Sequence, residues 1–131
     1  MADRTRVLID LNVILDVLQR RMPHFDDSAQ ILAFAESGVI EGYVAAHSWT
    51  TLIYLYSKDQ SAGKARVRLT ELMQFLSVAA VDQPVIEQAL NLPYQDYEDA
   101  VQMMAAFRCG AKYMVTRNVS DFKAGPLPCL L

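Results

Sequence analysis

The chain has 131 residues, 53% of them apolar and 21% charged, which suits one globular domain with its own core, leaves no room for two, and excludes a disordered composition. A formal net charge of −3 argues against a general nucleic-acid binder, which shows a basic footprint, but not against an enzyme acting on nucleic acid, since acids that hold cations add to the negative count. With no signal-peptide pattern, no apolar run near the ~18 residues of a membrane helix, and Cys109 and Cys129 lacking metal-ligand or disulfide spacing, a soluble cytoplasmic protein with two small core cysteines is expected.

In chain order, residues 6–9 read as a strand running into Asp10. Asn12 is placed to cap a short helix to about Gln19, whose Val13, Ile14, Leu15, Val17 and Leu18 leave few polar faces. Pro23 breaks the chain. A second helix starts at Asp26 or Asp27, carries Ile31, Leu32 and Ala35 on one stripe, and stops at Gly38. A strand over residues 40–46 leads to a helix capped by Ser48, with Trp49, Leu52, Ile53 and Tyr56 at core spacing. Leu69, Leu72, Met73 and Leu76 repeat that spacing on a fourth helix, with Met73, Met103 and Met104 as core filler. Residues 78–81 form a strand. Asp82 and Pro84 open a helix carrying Ile86, Ala89 and Leu90, which Pro93 closes; a sixth helix spans residues 97–109 and stops at Gly110. Tyr113–Val115 is a strand, and the tail after Pro126 adds a short edge strand.

This alternation needs crossover connections. The expected fold is α/β: a single domain over residues 1–131, with three α/β/α layers and a five-stranded, mainly parallel sheet flanked by helices. Ligands of such sheets bind beyond the carboxyl ends of the strands, so the acids after the strands matter most.

Asp10 closes an apolar strand, where a carboxylate is costly unless something meets it. It is open to an N-cap or Asx-turn reading as well as a functional one. Asn12 and Asp16 share a helix face, and Asp16 can pair with Arg20 one turn on. Asp96 and Asp99 have capping-box spacing. Thr116, Arg117, Asn118 and Asp121 follow the strand over residues 113–115, and Asn118 and Asp121 can equally open a terminal turn. Each has a structural reading alone, but the topology brings all of these segments to one side of the sheet. Several carboxylates there repel unless a cation offsets them. Oxygen donors without a His/Cys set select Mg²⁺ or Mn²⁺, and a divalent ion in an oxygen-lined cleft is apparatus for phosphodiester hydrolysis.

These residues carry a resemblance. The stretch Leu8-Ile9-Asp10-Leu11-Asn12-Val13-Ile14-Leu15-Asp16 resembles the opening Asp-x-Asn-x-x-x-Asp motif of PIN domains. Asp96-Tyr97-Glu98-Asp99-Ala100 is similar to that family's second acidic segment. The run from Gly110 to Asn118, with Asp121-Phe122, resembles its closing strand and motif. Within the family the chain most resembles bacterial VapC-like proteins. The resemblance implies a PIN-like fold and a metal-dependent endoribonuclease acting on RNA, as a homodimer and as the toxin of a pair with a small antitoxin protein. It makes Asp10, Asp99 and Asp121 the catalytic acids and, with Asn118, the Mg²⁺ or Mn²⁺ ligands. Asn12, Asp16, Asp96, Thr116 and Arg117 are supporting residues.

One position departs from the pattern. Thr51 stands where many members carry an acid on the third helix, and it brings no charge. The alternative reading is therefore a catalytically weak or inactive RNA- or protein-binding module. Arg117 can pin a phosphate or pair with a carboxylate. Lys58, Lys64, Arg66 and Arg68 form the one local basic enrichment, either a solvated helix face or a substrate-binding rim. His24 and His47 lack the pattern of a metal or triad site, and Trp49 fits packing better than base stacking.

Overall fold

Side chains alternate across a strand, and both faces of the first strand are apolar. In the computed structural model, which describes residues 4–122 and 125–130, Val7 and Ile9 are buried in one core cluster and Leu8 in another. The strands are β1 (Thr5–Ile9), β2 (Ile40–Ala45), β3 (Leu76–Ala79), β4 (Tyr113–Val115) and the two-residue β5 (Cys129–Leu130). All neighbours pair in parallel, in the order β3-β2-β1-β4-β5. The connections hold α1 (Leu11–Leu18), α2 (Phe25–Glu36), α3 (Ala46–Asp59), α4 (Ala62–Leu72), α5 (Gln83–Ala89) and α6 (Tyr97–Arg108), with a 3-10 turn over Val119–Phe122 after β4.

A parallel sheet is covered on both faces. On one, Val7, Ile9, Val44, Leu76 and Val115 pack with residues of α1 to α4, among them Leu15, Leu32, Leu52 and Leu69. On the other, Leu8, Ala45, Ala79 and Met114 meet Val85, Ala89, Met103 and Ala106 of α5 and α6. The expected three-layer α/β/α architecture is present. From β1 the chain goes to β2 and β3 on one side, then crosses to β4 and β5 on the other, so the strand order reverses between β1 and β4. Crevices at such a reversal are where open parallel sheets bind ligands.

Local expectations differ from the structure where two periodicities overlap. The fourth helix ends at Leu72: Met73 is 50% exposed rather than core filler, and Leu76 belongs to β3. That strand begins two residues before position 78 because Leu76 pairs with Gly42, whose missing side chain makes room for it. A Cβ at Gly42 would come within 2.8 Å of Leu76 Cδ2. In α5 the buried stripe is Val85 and Ala89; Ile86 and Leu90, one position over on a short helix, are exposed. Ile53 is likewise exposed, since Trp49, Leu52 and Tyr56 already fill the buried stripe of α3.

Ser48 does not cap α3. The chain passes from β2 straight into the helix at Ala46, and Ser48 is buried inside it. Asn12 does not cap α1 either, because Asp10 holds the N-cap position without a side-chain capping bond. Cys109 is half-buried, with its Sγ donating to the Ala106 carbonyl at 3.4 Å, and the Cys129 side chain lies outside the described residues. Gly38 and Gly110, the two expected helix stops, both have φ of +83°, the left-handed conformation glycine adopts without strain.

Candidate active site

Asp10 leaves β1 at the strand reversal. Its backbone N–H donates to the Val115 carbonyl at 2.9 Å, tying the end of β1 to the end of β4. Its side chain is only 2% exposed, so both carboxylate oxygens need partners. Thr116 Oγ1, the first residue after β4, donates to Oδ2 at 2.9 Å, and Gln102 Nε2, from α6, donates to Oδ1 at 3.1 Å. Burial pushes the Asp10 carboxyl above the usual carboxylate range, while the bonds from Gln102 and Thr116 and the charge of Arg117 oppose that shift. Asp10 therefore occupies the N-cap position of α1 but spends its carboxylate on Thr116 and Gln102 rather than on a capping bond. It is an acid pinned from two neighbouring elements.

Asp96 realises half of the capping box: its Oδ1 accepts the Asp99 N–H at 3.2 Å at the start of α6. That places the half-buried Asp99 in the first helical turn, and its carboxyl is pushed up to about 7 by burial and by the negative charges of Asp96, Asp10, Asp121 and Glu98. Asp121 is exposed on the 3-10 turn after β4, where its N–H donates to the Asn118 carbonyl at 3.0 Å. The next residue anchors that turn. Phe122 is buried in the α6-side core, meets Tyr94 edge-on at 5.9 Å between ring centroids, and accepts the Tyr94 hydroxyl at its carbonyl at 2.7 Å. Asp96, Asp99, Ser120 and Asp121, with Tyr94, line an open cleft of about 580 Å³. Asp10 is not among its walls, but its charge acts on Asp99.

Asp10, Asp99 and Asp121 thus share one electrostatic region from three elements. Among the described residues, no three His, Cys, Asp or Glu side chains converge closely enough to form a ligand shell. The donor set nevertheless fits a hard divalent cation: it is all oxygen, and the burial and mutual repulsion that raise the Asp99 carboxyl to about 7 are what a cation offsets.

The supporting residues separate. Thr116 is buried and joins the site twice, donating to Asp10 and accepting the Asn118 N–H at 3.0 Å. Asp16 pairs not with Arg20 but with Arg117, whose Nε lies 3.0 Å from Oδ2. Arg20 instead has a positive φ of 50° and stacks over the Phe25 ring at 5.8 Å, turned away from its helical neighbour. Asn12 Oδ1 accepts a long bond from Arg21 at 3.5 Å. Thr51 Oγ1 donates back to the His47 carbonyl of its own helix at 3.2 Å. Lys58, Lys64, Arg66 and Arg68 are exposed along the end of α3 and on α4, Lys58 over the Tyr54 ring at 5.3 Å and Arg68 3.5 Å from Glu71. Trp49 is core, its indole N–H bonded to the Val44 carbonyl at 3.1 Å. His47 has both ring nitrogens buried without a hydrogen-bond partner, and burial lowers its pKa.

The sequence reading overlooked Gln102. It also accepts the Leu11 N–H at 3.2 Å, so one amide joins α6, the start of α1 and Asp10. The signal was available: Gln102 is the lone polar side chain in the run Ala100 to Phe107, and a buried amide needs partners.

Comparison with known proteins agrees with this layout. The family model of the PIN domain matches residues 6–120. Ribonuclease VapC1 of Aquifex aeolicus (strain VF5) is 24% identical over 122 residues, which cover 89% of this chain and 84% of that one. Among solved structures, a toxin-antitoxin complex from Klebsiella pneumoniae matches with a TM-score of 0.70 at 20% identity, over 92% of both chains. VapBC2 from Rickettsia felis, bound to a DNA fragment from its promoter, matches with a TM-score of 0.71 at 13% identity, over 95% of this chain and 97% of that one. At these identities the structural likenesses speak for the fold. The family match over most of the chain, together with the parallel sheet and the acids at its strand reversal, makes this chain a member of the PIN domain family.

Proposed function

We propose that this chain is a metal-dependent endoribonuclease that hydrolyses RNA phosphodiester bonds, with Asp10, Asp99 and Asp121 holding Mg²⁺ or Mn²⁺ and Asn118 adding an oxygen ligand. The observation that carries the reading is Asp99: a carboxyl raised to about 7 by burial and by four neighbouring acids, lining an open cleft together with Asp96 and Asp121. When bound, a divalent ion supplies an activated water and offsets charge on the attacking and leaving oxygens. The chain supplies the rest. Gln102 and Thr116 hold the Asp10 carboxylate in one orientation, Asp96 fixes the first turn of α6 beneath Asp99, and Phe122 seats the turn that carries Asp121. Lys58, Lys64, Arg66 and Arg68 are proposed contacts for the RNA backbone, offsetting the acidic total. The VapC and toxin-antitoxin relatives support a toxin role with an antitoxin protein as partner; a homodimer is proposed as the working unit.

A second reading, an inactive binding module, is favoured by Thr51, which adds no acid and spends its hydroxyl on its own helix. Cleavage of labelled RNA by purified protein, with Mg²⁺ or Mn²⁺ and with chelator, separates the two. The nuclease reading expects metal-dependent cleavage that falls by at least ~10²-fold in Asp10→Asn, which conserves volume but removes the charge. Cleavage that persists in chelator, or unchanged in Asp10→Asn, refutes it; no cleavage by wild type favours the binding module.

A further inference from the structure

Asp16 is fully buried on α1, and its bonding is lopsided. Oδ2 accepts from Ser28 Oγ at 2.9 Å and lies 3.0 Å from Arg117 Nε, whereas Oδ1 has no partner. The Arg117 contact is a contact of charges rather than an aligned hydrogen bond, since Nε makes none. Buried ion pairs of this kind are close to neutral for stability against an apolar pair, because desolvation offsets the attraction. Stability alone does not account for this one.

Its position does. Arg117 lies between Thr116, which bonds Asp10, and Asn118, and its charge already acts on Asp10. The Asp10, Asp99 and Asp121 region is a strong attractor for any free guanidinium. An arginine forked onto one of those carboxylates would occupy the oxygens that a cation needs. We propose that Asp16 is a positioning residue whose task is to hold Arg117 off the metal-binding acids and so keep their oxygens open to the cation. A full charge kept out of solvent by α1 and α2 suits this task, because water screens it little and the arginine cannot drift away. Ser28, donating from α2, fixes the Asp16 carboxylate in that orientation.

This inference rests on the metal site of the proposed function, and the test separates the two. Mn²⁺ titration calorimetry is run on wild type, on Asp16→Asn, and on the double variant Asp16→Asn with Arg117→Gln, each checked for folding by circular dichroism. Freeing the arginine in Asp16→Asn should weaken Mn²⁺ binding ~10-fold or more, the scale of one unpaired charge beside a dication site. Removing the arginine as well should restore affinity to within ~3-fold of wild type, a coupling of opposite sign to simple additivity. If Asp16 merely braces α1 against the loop, the double variant binds as weakly as the single or more so, and the proposal is overturned. Unchanged affinity in Asp16→Asn overturns it too. Should the single variant not fold, the double carries the test alone: near-wild-type affinity supports the proposal and a ~10-fold loss sinks it. A wild-type chain that takes up no Mn²⁺ removes the metal reading itself, and this inference with it; that failure is visible in the first isotherm.

Discussion

Replacing Gln102 by Met keeps length and volume but removes two hydrogen bonds at once, one buried and one partly buried. The first is the Nε2 donation to Asp10 Oδ1 at 3.1 Å, a bond to a charged group worth ~1.5–3 kcal/mol. The second is the Oε1 acceptor of the Leu11 N–H at 3.2 Å, whose loss leaves a first-turn donor unpaired at ~1–3 kcal/mol. Partial relief by water brings the expected total to ~2–4 kcal/mol, roughly 6–16 °C in melting temperature for a chain of this size. The pH dependence is diagnostic. Burial already raises the Asp10 carboxyl above its unfolded value of 3.8, and Gln102 is the largest influence opposing that shift, so the variant raises it further. An acid with a raised folded value loses stability as pH climbs from the unfolded value through the folded one. The deficit of Gln102→Met is therefore smaller at pH 5 than at pH 8. Urea denaturation of both proteins in chelator at the two pH values measures it. A deficit below ~0.5 kcal/mol, or one that shrinks as pH rises, would refute the claim that Gln102 serves the ionised Asp10.

Three further outcomes are expected. Thr116→Val keeps the side-chain shape but loses both the bond to Asp10 and the acceptor of the Asn118 N–H, so RNA cleavage should fall ~10-fold or more and stability by ~2–4 kcal/mol; wild-type values of both would contradict this. Asp96→Ala removes the cap of α6 at a cost of ~0.5–2 kcal/mol and also the leading charge on Asp99, so carboxyl NMR should find Asp99 titrating below its present value of about 7. In metal-free wild type, Asp99 contributes stability that is fully present below pH 3.8 and lost as pH rises through about 7. Discounted for solvent screening of a half-exposed carboxyl, the loss is on the order of 1–2 kcal/mol, and denaturation against pH should show that slope vanish in Asp99→Asn.

What could be read in the sequence follows from which physical signals are local. Gly38 and Gly110 announced helix ends because the left-handed turn is a one-residue property. Val7, Leu8 and Ile9 announced an apolar strand, and the structure covers it on both faces. The start of β3 was not legible, because Leu76 continues a helical spacing and only its pairing with Gly42 decides the matter. In the site, Asp10 stood out as an acid closing an apolar strand, and Asp99 and Asp121 as acids that the topology and the PIN resemblance bring to the same side of the sheet. The partners that hold them were hidden: Gln102 meets Asp10 across 92 positions of chain and Arg117 meets Asp16 from another strand end. Arg20 offered Asp16 a nearer partner in sequence but not in space.

Whether Asp10, Asp99 and Asp121 form one cation site is tested most directly by melting curves in chelator and in excess Mn²⁺, for wild type and Asp99→Asn. Mutual repulsion of the acids should make the metal-free wild type the less stable of the two at neutral pH. Mn²⁺ at a hundredfold excess over Kd should then stabilise wild type by about 2.7 kcal/mol, a rise of roughly 8–11 °C, and Asp99→Asn by much less. A wild-type melting temperature that does not move in millimolar Mn²⁺, or an equal rise in Asp99→Asn, contradicts the account.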